Sequence, residues 1–118
     1  AGNRQRFLAS LRWLGRTGEI PRGLWYNVLE DGIWEFKPAN IRITFYDTDG
    51  LGGHEPKRAE RSIVTKQVDW PSDLEEYLRL TTWFPKTTQK TPPGEIYKAK
   101  RVREEDLEHD RKTTSIDY

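Results

Sequence analysis

The chain has 118 residues, 34% hydrophobic and 33% charged, with a formal net charge of +1. That length holds one domain with a modest core, in which five Trp, five Tyr and four Phe must supply much of the buried area. The absence of Cys excludes disulfide scaffolds, cysteine-ligated zinc and thiol catalysis and fits a reducing cytoplasm, and no apolar run approaches membrane-spanning length.

Residues 3–14 read as an amphipathic helix. Phe7, Leu8, Leu11 and Leu14 recur at helical spacing, with Arg4, Arg6 and Arg12 on other faces. Gly15 and Gly18 end it, and Pro21 prevents resumption. Residues 24–30 hold a short extended segment, followed by the turn signal Asp31-Gly32 and a second extended run from Ile33 to Phe36. Ile41 to Tyr46 is the clearest strand: Ile41, Ile43 and Phe45 face one way, Arg42, Thr44 and Tyr46 the other. Residues 47–53, DTDGLGG, open like a calcium loop, but no Glu stands at the twelfth position and Lys57 and Arg58 intrude, so no metal site is expected.

Residues 62–70 read as a strand on Ile63, Val64 and Val68, and Ser72 with Glu75 forms a capping box for a short helix from Asp73 to about Leu78. A further strand covers 79–84. The last helix runs from Pro92 to roughly Leu107, with Thr91 as its cap, Pro92 at its first position, and Ile96, Ala99, Val102 and Leu107 as a thin apolar stripe. Its basic half (Lys98, Lys100, Arg101, Arg103) precedes its acidic half (Glu104, Glu105, Asp106, Glu108), an order that opposes the dipole preference at both ends. From His109 the tail is polar and reads as frayed. The expected architecture is α+β: a small single domain over 1–118, an antiparallel sheet with N- and C-terminal helices, an insertion at 47–78 and a polar tail from about 108.

The stretch 83–99, WFPKTTQKTPPGEIYKA, carries the most chemistry. Lys86, Thr87, Thr88, Gln89 and Lys90 contain no acidic residue and lead into a helix N-terminus. Two ammonium groups and the hydrogen-bonding side chains make either a phosphate site or an ordinary solvated strand-to-helix connection.

Residues 31–36 (DGIWEF), 41–46 (IRITFY) and 83–99 together resemble the phage-derived branch of the RelE/HigB toxin superfamily, over somewhat under half of the chain. Thr87 departs from the lysine of that family's motif, the stretch 47–79 is longer than its usual connection, and no strand precedes the first helix. The resemblance implies a twisted antiparallel sheet with helices on one face. It implies a toxin of a type II toxin–antitoxin system, cytoplasmic and without metal or cofactor. Such a toxin cleaves mRNA, commonly on the ribosome, and is silenced by a cognate antitoxin, often a helix-turn-helix protein.

RNA carries its own nucleophile, the 2′-OH, so such an enzyme must align the attack, move protons and stabilise charge on the phosphate. By resemblance, Arg42 is a phosphate clamp or a surface arginine. Tyr46 stacks on a base, assists proton transfer or packs at the sheet edge. Lys86 and Lys90 bind phosphate or the developing charge, and Gln89 reads a base edge or finishes the turn. Lys98, Arg101 and Arg103 hold the RNA backbone. Glu35 joins this face or forms a cross-strand ion pair with Arg42. His54 and His109 fall in a loop and the tail. The alternative is a catalytically inactive relative that binds RNA or protein; a metal-dependent nuclease lacks convincing ligand spacing.

Overall fold

Two-residue turns and alternating strands set the architecture. The computed structural model describes residues 2–57, 68–71, 73–86 and 89–116. Its elements are α1 (Gly2–Thr17), β1 (Tyr26–Val28), β2 (Trp34–Phe36), β3 (Ile41–Thr48), β4 (Tyr77–Pro85) and α2 (Pro93–Ile116). The strands form one antiparallel sheet in the order β1-β2-β3-β4. Asp31 and Gly32 make the first hairpin turn. Their φ values are 50° and 78°, and the Ile33 N–H donates to the Glu30 carbonyl at 2.9 Å. Two left-handed central residues define the primed turn whose twist matches the strands it joins.

Trp34 lies opposite Phe45, and Phe36 opposite Ile43. Consecutive strand residues face opposite sides, so Phe45 and Tyr46 divide the molecule into two layers. On one side Trp34, Phe36 and Phe45 pack with Leu14, Leu24 and Val68, against which Phe7 and Leu11 of α1 also rest. On the other side Tyr46 and Ile33 pack with Ala99 and Leu107 of α2. The helices therefore cover opposite faces rather than the single face that the family resemblance implies. The cause is local: β3 carries an aromatic residue on each side, and each needs a cover.

Described residues of the 47–78 stretch enter the core. Trp70 lies 5.1 Å from the Tyr26 ring and 6.0 Å from Phe45, and the Tyr26 hydroxyl donates to the Val68 carbonyl at 2.8 Å. Residues 62–67, expected as most of a strand, and Ser72, expected as a helix cap, lie outside the described residues. No helix forms over 73–76, and β4 begins at Tyr77. The Glu75 N–H donates instead to the Asp47 carboxylate at 2.8 Å, which draws this segment toward β3.

Between β3 and β4 the register passes from Ile43–Trp83 to Phe45–Leu80, so Thr81 and Thr82 both oppose Thr44. This extra residue is a β-bulge. The fully buried Thr44 hydroxyl fills it, 2.6 Å from the Thr81 hydroxyl and 2.7 Å from that of Thr82.

Gly15 does not end α1. Gly18 does, at φ 72°, donating to the Leu14 carbonyl at 2.8 Å. Helix α2 starts one residue later than expected: the Ile96 N–H donates to the Pro92 carbonyl at 3.3 Å, leaving Pro93 at the first position. It also runs past the expected tail, through Ile116. Arg79 holds Asp110 at 2.5 Å, and Arg111 Nε donates to the Gly52 carbonyl at 3.1 Å, so tertiary anchors support the polar end. Among the described residues, no helix is long and apolar enough to cross a membrane.

Candidate nucleic-acid interface

The sheet brings the start of β3 beside the end of β4. Arg42 lies opposite Phe84, and the Lys86 N–H donates to the Asn40 carbonyl at 2.7 Å. The following turn is tied back to the sheet by Thr91, whose hydroxyl donates to the Glu35 carboxylate at 2.6 Å. Thr91 is thus an anchor rather than the helix cap. Glu35 is buried opposite Asn27 and Thr44, and its bond is to Thr91 rather than to Arg42.

These bonds leave Arg42, Lys86, Gln89 and Lys90 at one end of the molecule. Lys86, Gln89 and Lys90 are exposed, and Arg42 is partly so. Arg42 Nη1 donates only to nearby carbonyls, Ile41 at 3.0 Å and Ala39 at 3.4 Å, so its charge has no carboxylate partner among the described residues. Trp83, 70% exposed, lies opposite Ile43 and so faces the other side of the sheet from Arg42; its indole does not join these cations. The cations themselves supply charge for phosphates. The N-terminus of α2 lies just beyond the turn. Thr87 and Thr88 fall outside the described residues.

Along α2 the expected RNA contacts separate into two kinds. Lys98 and Arg101 are exposed and hold only loose pairs, with Glu95 at 3.5 Å and Glu105 at 3.8 Å. Arg103 is buried. Its Nη2 meets the Asp31 carboxylate at 3.0 Å, its Nε meets Glu104 at 3.0 Å, and its Nη1 donates to the Asp31 carbonyl. It bolts α2 to the β1–β2 turn and offers no guanidinium to RNA. The reason is helical phase: Ala99, Arg103 and Leu107 form one four-residue row that faces the sheet.

Tyr46 is also withdrawn. It is fully buried beneath α2, with its ring edge-on to His54 at 5.5 Å and its hydroxyl 3.5 Å from Asp106. Burial pushes the phenol above its ordinary pKa, although a hydrogen bond with Arg79 opposes the rise. A ring so placed does not stack on a base. Arg42 and Tyr46 share a strand face, as expected, but only Arg42 reaches the surface.

A cluster beside Tyr46 escaped the sequence reading. The His54 Nδ1 lies 2.7 Å from the Asp47 carbonyl, so that nitrogen carries the proton, and Nε2 is left to accept from Arg103 at 3.5 Å. Asp47, His54 and Glu75 present ligand atoms within 4.8 Å of one another, a set able to take a divalent cation. The Lys57 ammonium already stands there, 3.2 Å from Asp47 and 3.5 Å from Glu75. Burial works against charge on Lys57, but the two carboxylates outweigh it and hold its pKa above the ordinary value. The arrangement is therefore a buried ion-pair network with its own cation. Its members come from separate parts of the 47–78 stretch, so no local spacing announces them. No family model matches this chain, and comparison with curated proteins and with solved structures finds no match.

Proposed function

We propose that this chain is a metal-independent endoribonuclease that cleaves mRNA, of the kind that serves as the toxin in type II toxin–antitoxin systems. It acts in the cytoplasm, meets its substrate on the ribosome and is silenced by a cognate antitoxin. The observation that carries this reading is the open grouping of Arg42, Lys86, Gln89 and Lys90 at one sheet end, within the segments that resemble RelE/HigB toxins. In this mechanism the 2′-OH of RNA gives its proton to water as its oxygen attacks the adjacent phosphorus, and the 5′-oxygen of the next nucleotide leaves and takes a proton from water. Arg42, always charged, clamps the phosphate. Lys86 and Lys90 stabilise the charge that develops on it. Gln89 hydrogen-bonds a base edge, and Lys98 and Arg101 hold the backbone further along α2.

The test is cleavage of an mRNA by the purified protein, on translating ribosomes at the magnesium they require and, separately, on free RNA with chelator present. Cutting on ribosomes should fall on the order of a hundredfold in Arg42→Ala, the scale for removing one charge-stabilising donor, and cutting of free RNA should be the same with and without chelator. Cutting of free RNA that chelator abolishes, or ribosomal cutting indifferent to Arg42→Ala, would contradict the mechanism.

The second reading is a catalytically inactive module that binds RNA through the same end. The burial of Tyr46 favours it, because that withdraws one expected proton-handling group. RNA that is bound but left intact, with ribosomes present, would identify this case.

A further inference from the structure

Helix α1 carries a second cationic surface that the cleavage mechanism does not use. It holds Arg4, Arg6, Arg12 and Arg16 and no acidic residue. All four arginines are exposed, and none has an ion-pair partner among the described residues. The cations of α2 differ: Lys98, Lys100, Arg101, Arg103 and Lys112 each meet a carboxylate. Since the whole chain carries only +1, the remainder is net acidic and positive charge is concentrated on α1. Helix stability accounts for Arg16, in the last turn, but not for the charge at the other end. Arg4 lies in the first turn, where the dipole disfavours a cation and no carboxylate compensates.

The arginines are also arranged. Arg4, Leu8, Arg12 and Arg16 follow a four-residue ridge, so three guanidinium groups lie along about 18 Å. Trp13, 45% exposed, is seven residues from Arg6 and shares its flank. The apolar stripe of Phe7, Leu11 and Leu14 rests on the core. A helix that enters a lipid surface needs that stripe free. A line of arginines fits instead a phosphodiester backbone, which takes bidentate guanidinium contacts, and the indole on the neighbouring flank can stack only on an unpaired base of a loop or bulge.

We propose that the outward face of α1 docks the backbone of a structured RNA, separately from the end that holds Arg42 and Lys86. This inference rests on the RNA-directed reading above but not on cleavage. The test compares the unmodified chain, the triple variant Arg4→Gln/Arg12→Gln/Arg16→Gln, the corresponding triple Lys variant, and Lys86→Ala/Lys90→Ala. Probes are a short RNA duplex, a DNA duplex of the same sequence, and phosphatidylglycerol vesicles, titrated over a range of salt. Circular dichroism checks that each variant is folded; the substituted side chains are exposed, and Gln favours helix.

The Gln variant should weaken RNA binding and lower the slope of log affinity against log salt by about 3, near 1 per lost phosphate contact. The Lys variant should keep most of that slope. An unchanged slope in the Gln variant would overturn the proposal. So would DNA bound as tightly as RNA, or binding to vesicles but not to RNA. If mRNA stays intact while α1-dependent RNA binding persists, the cleavage reading fails and this one stands. If cleavage depends on Arg42 but is indifferent to α1, and RNA binding is too, only this inference falls.

Discussion

Replacing Gly32 with Ala tests how the β1–β2 turn, the 47–57 segment and α2 are held together. Gly32 has φ 78°, and a Cβ there would stand 2.5 Å from His54 Nε2 and 3.1 Å from the Pro56 Cα. Two costs follow. The left-handed backbone costs Ala about 1–2 kcal/mol, and forcing a methyl into a filled space costs about 1–3 kcal/mol more. The His54 ring gives way poorly, because its Nδ1 is bound to the Asp47 carbonyl at 2.7 Å. A loss of roughly 2–5 kcal/mol is therefore expected, enough to lower Tm by on the order of 10 °C in a domain of this size. Urea unfolding of Gly32→Ala, His54→Ala and the double variant reads both parts. The double variant should lose less than the sum of the singles, because removing the ring relieves the clash. A Gly32→Ala loss under about 1 kcal/mol, or strict additivity, would refute this packing.

Two further outcomes follow from buried side chains. Burial raises the Tyr26 and Tyr46 phenols above their ordinary value, with the Asp69 charge adding to the rise at Tyr26. A phenol that keeps its proton longer when folded contributes stability that is complete below about pH 10 and is lost as pH climbs through the folded-state value. Alkaline absorbance titration should show Tyr46→Phe removing a late-ionising group; removal of one that ionises at the ordinary value would contradict this. Arg103→Met should cost about 1–3 kcal/mol in urea unfolding, from its lost charged hydrogen bonds, the exposed Asp31 staying solvated. RNA affinity should stay within about twofold, and a selective loss of RNA binding with stability intact would show that Arg103 reaches the ligand.

Strands and turns were legible where backbone geometry demands particular residues. Asp31-Gly32 announces its turn because both positions need positive φ, and Ile41–Tyr46 announces β3 by alternation. The ends of α2 were less legible. Thr91 looks like a cap, but its hydroxyl is taken by Glu35, and the polar residues after His109 stay helical because Asp110 and Arg111 find distant partners. For the candidate interface, the lack of acidic residues over 86–90 drew attention to Lys86, Gln89 and Lys90 and the family resemblance to Arg42, but neither gave their exposure. Arg103 belongs to the buried row of Ala99 and Leu107, a phase the thin apolar stripe already contained. Tyr46 alternates as a solvent-facing residue would, and only the packing of α2 over that face turns it inward. His54, Lys57 and Glu75 meet Asp47 through tertiary folding alone, which explains why His54 reads as a loop residue.

The most direct test of the central claim is induced expression of the chain in a bacterium with the 5′ ends of cellular mRNA mapped, beside an Arg42→Ala control. The mechanism predicts growth arrest and new 5′ ends inside translated frames, both lost or strongly reduced in the control. Normal growth and intact mRNA, with folded protein accumulating, would contradict it.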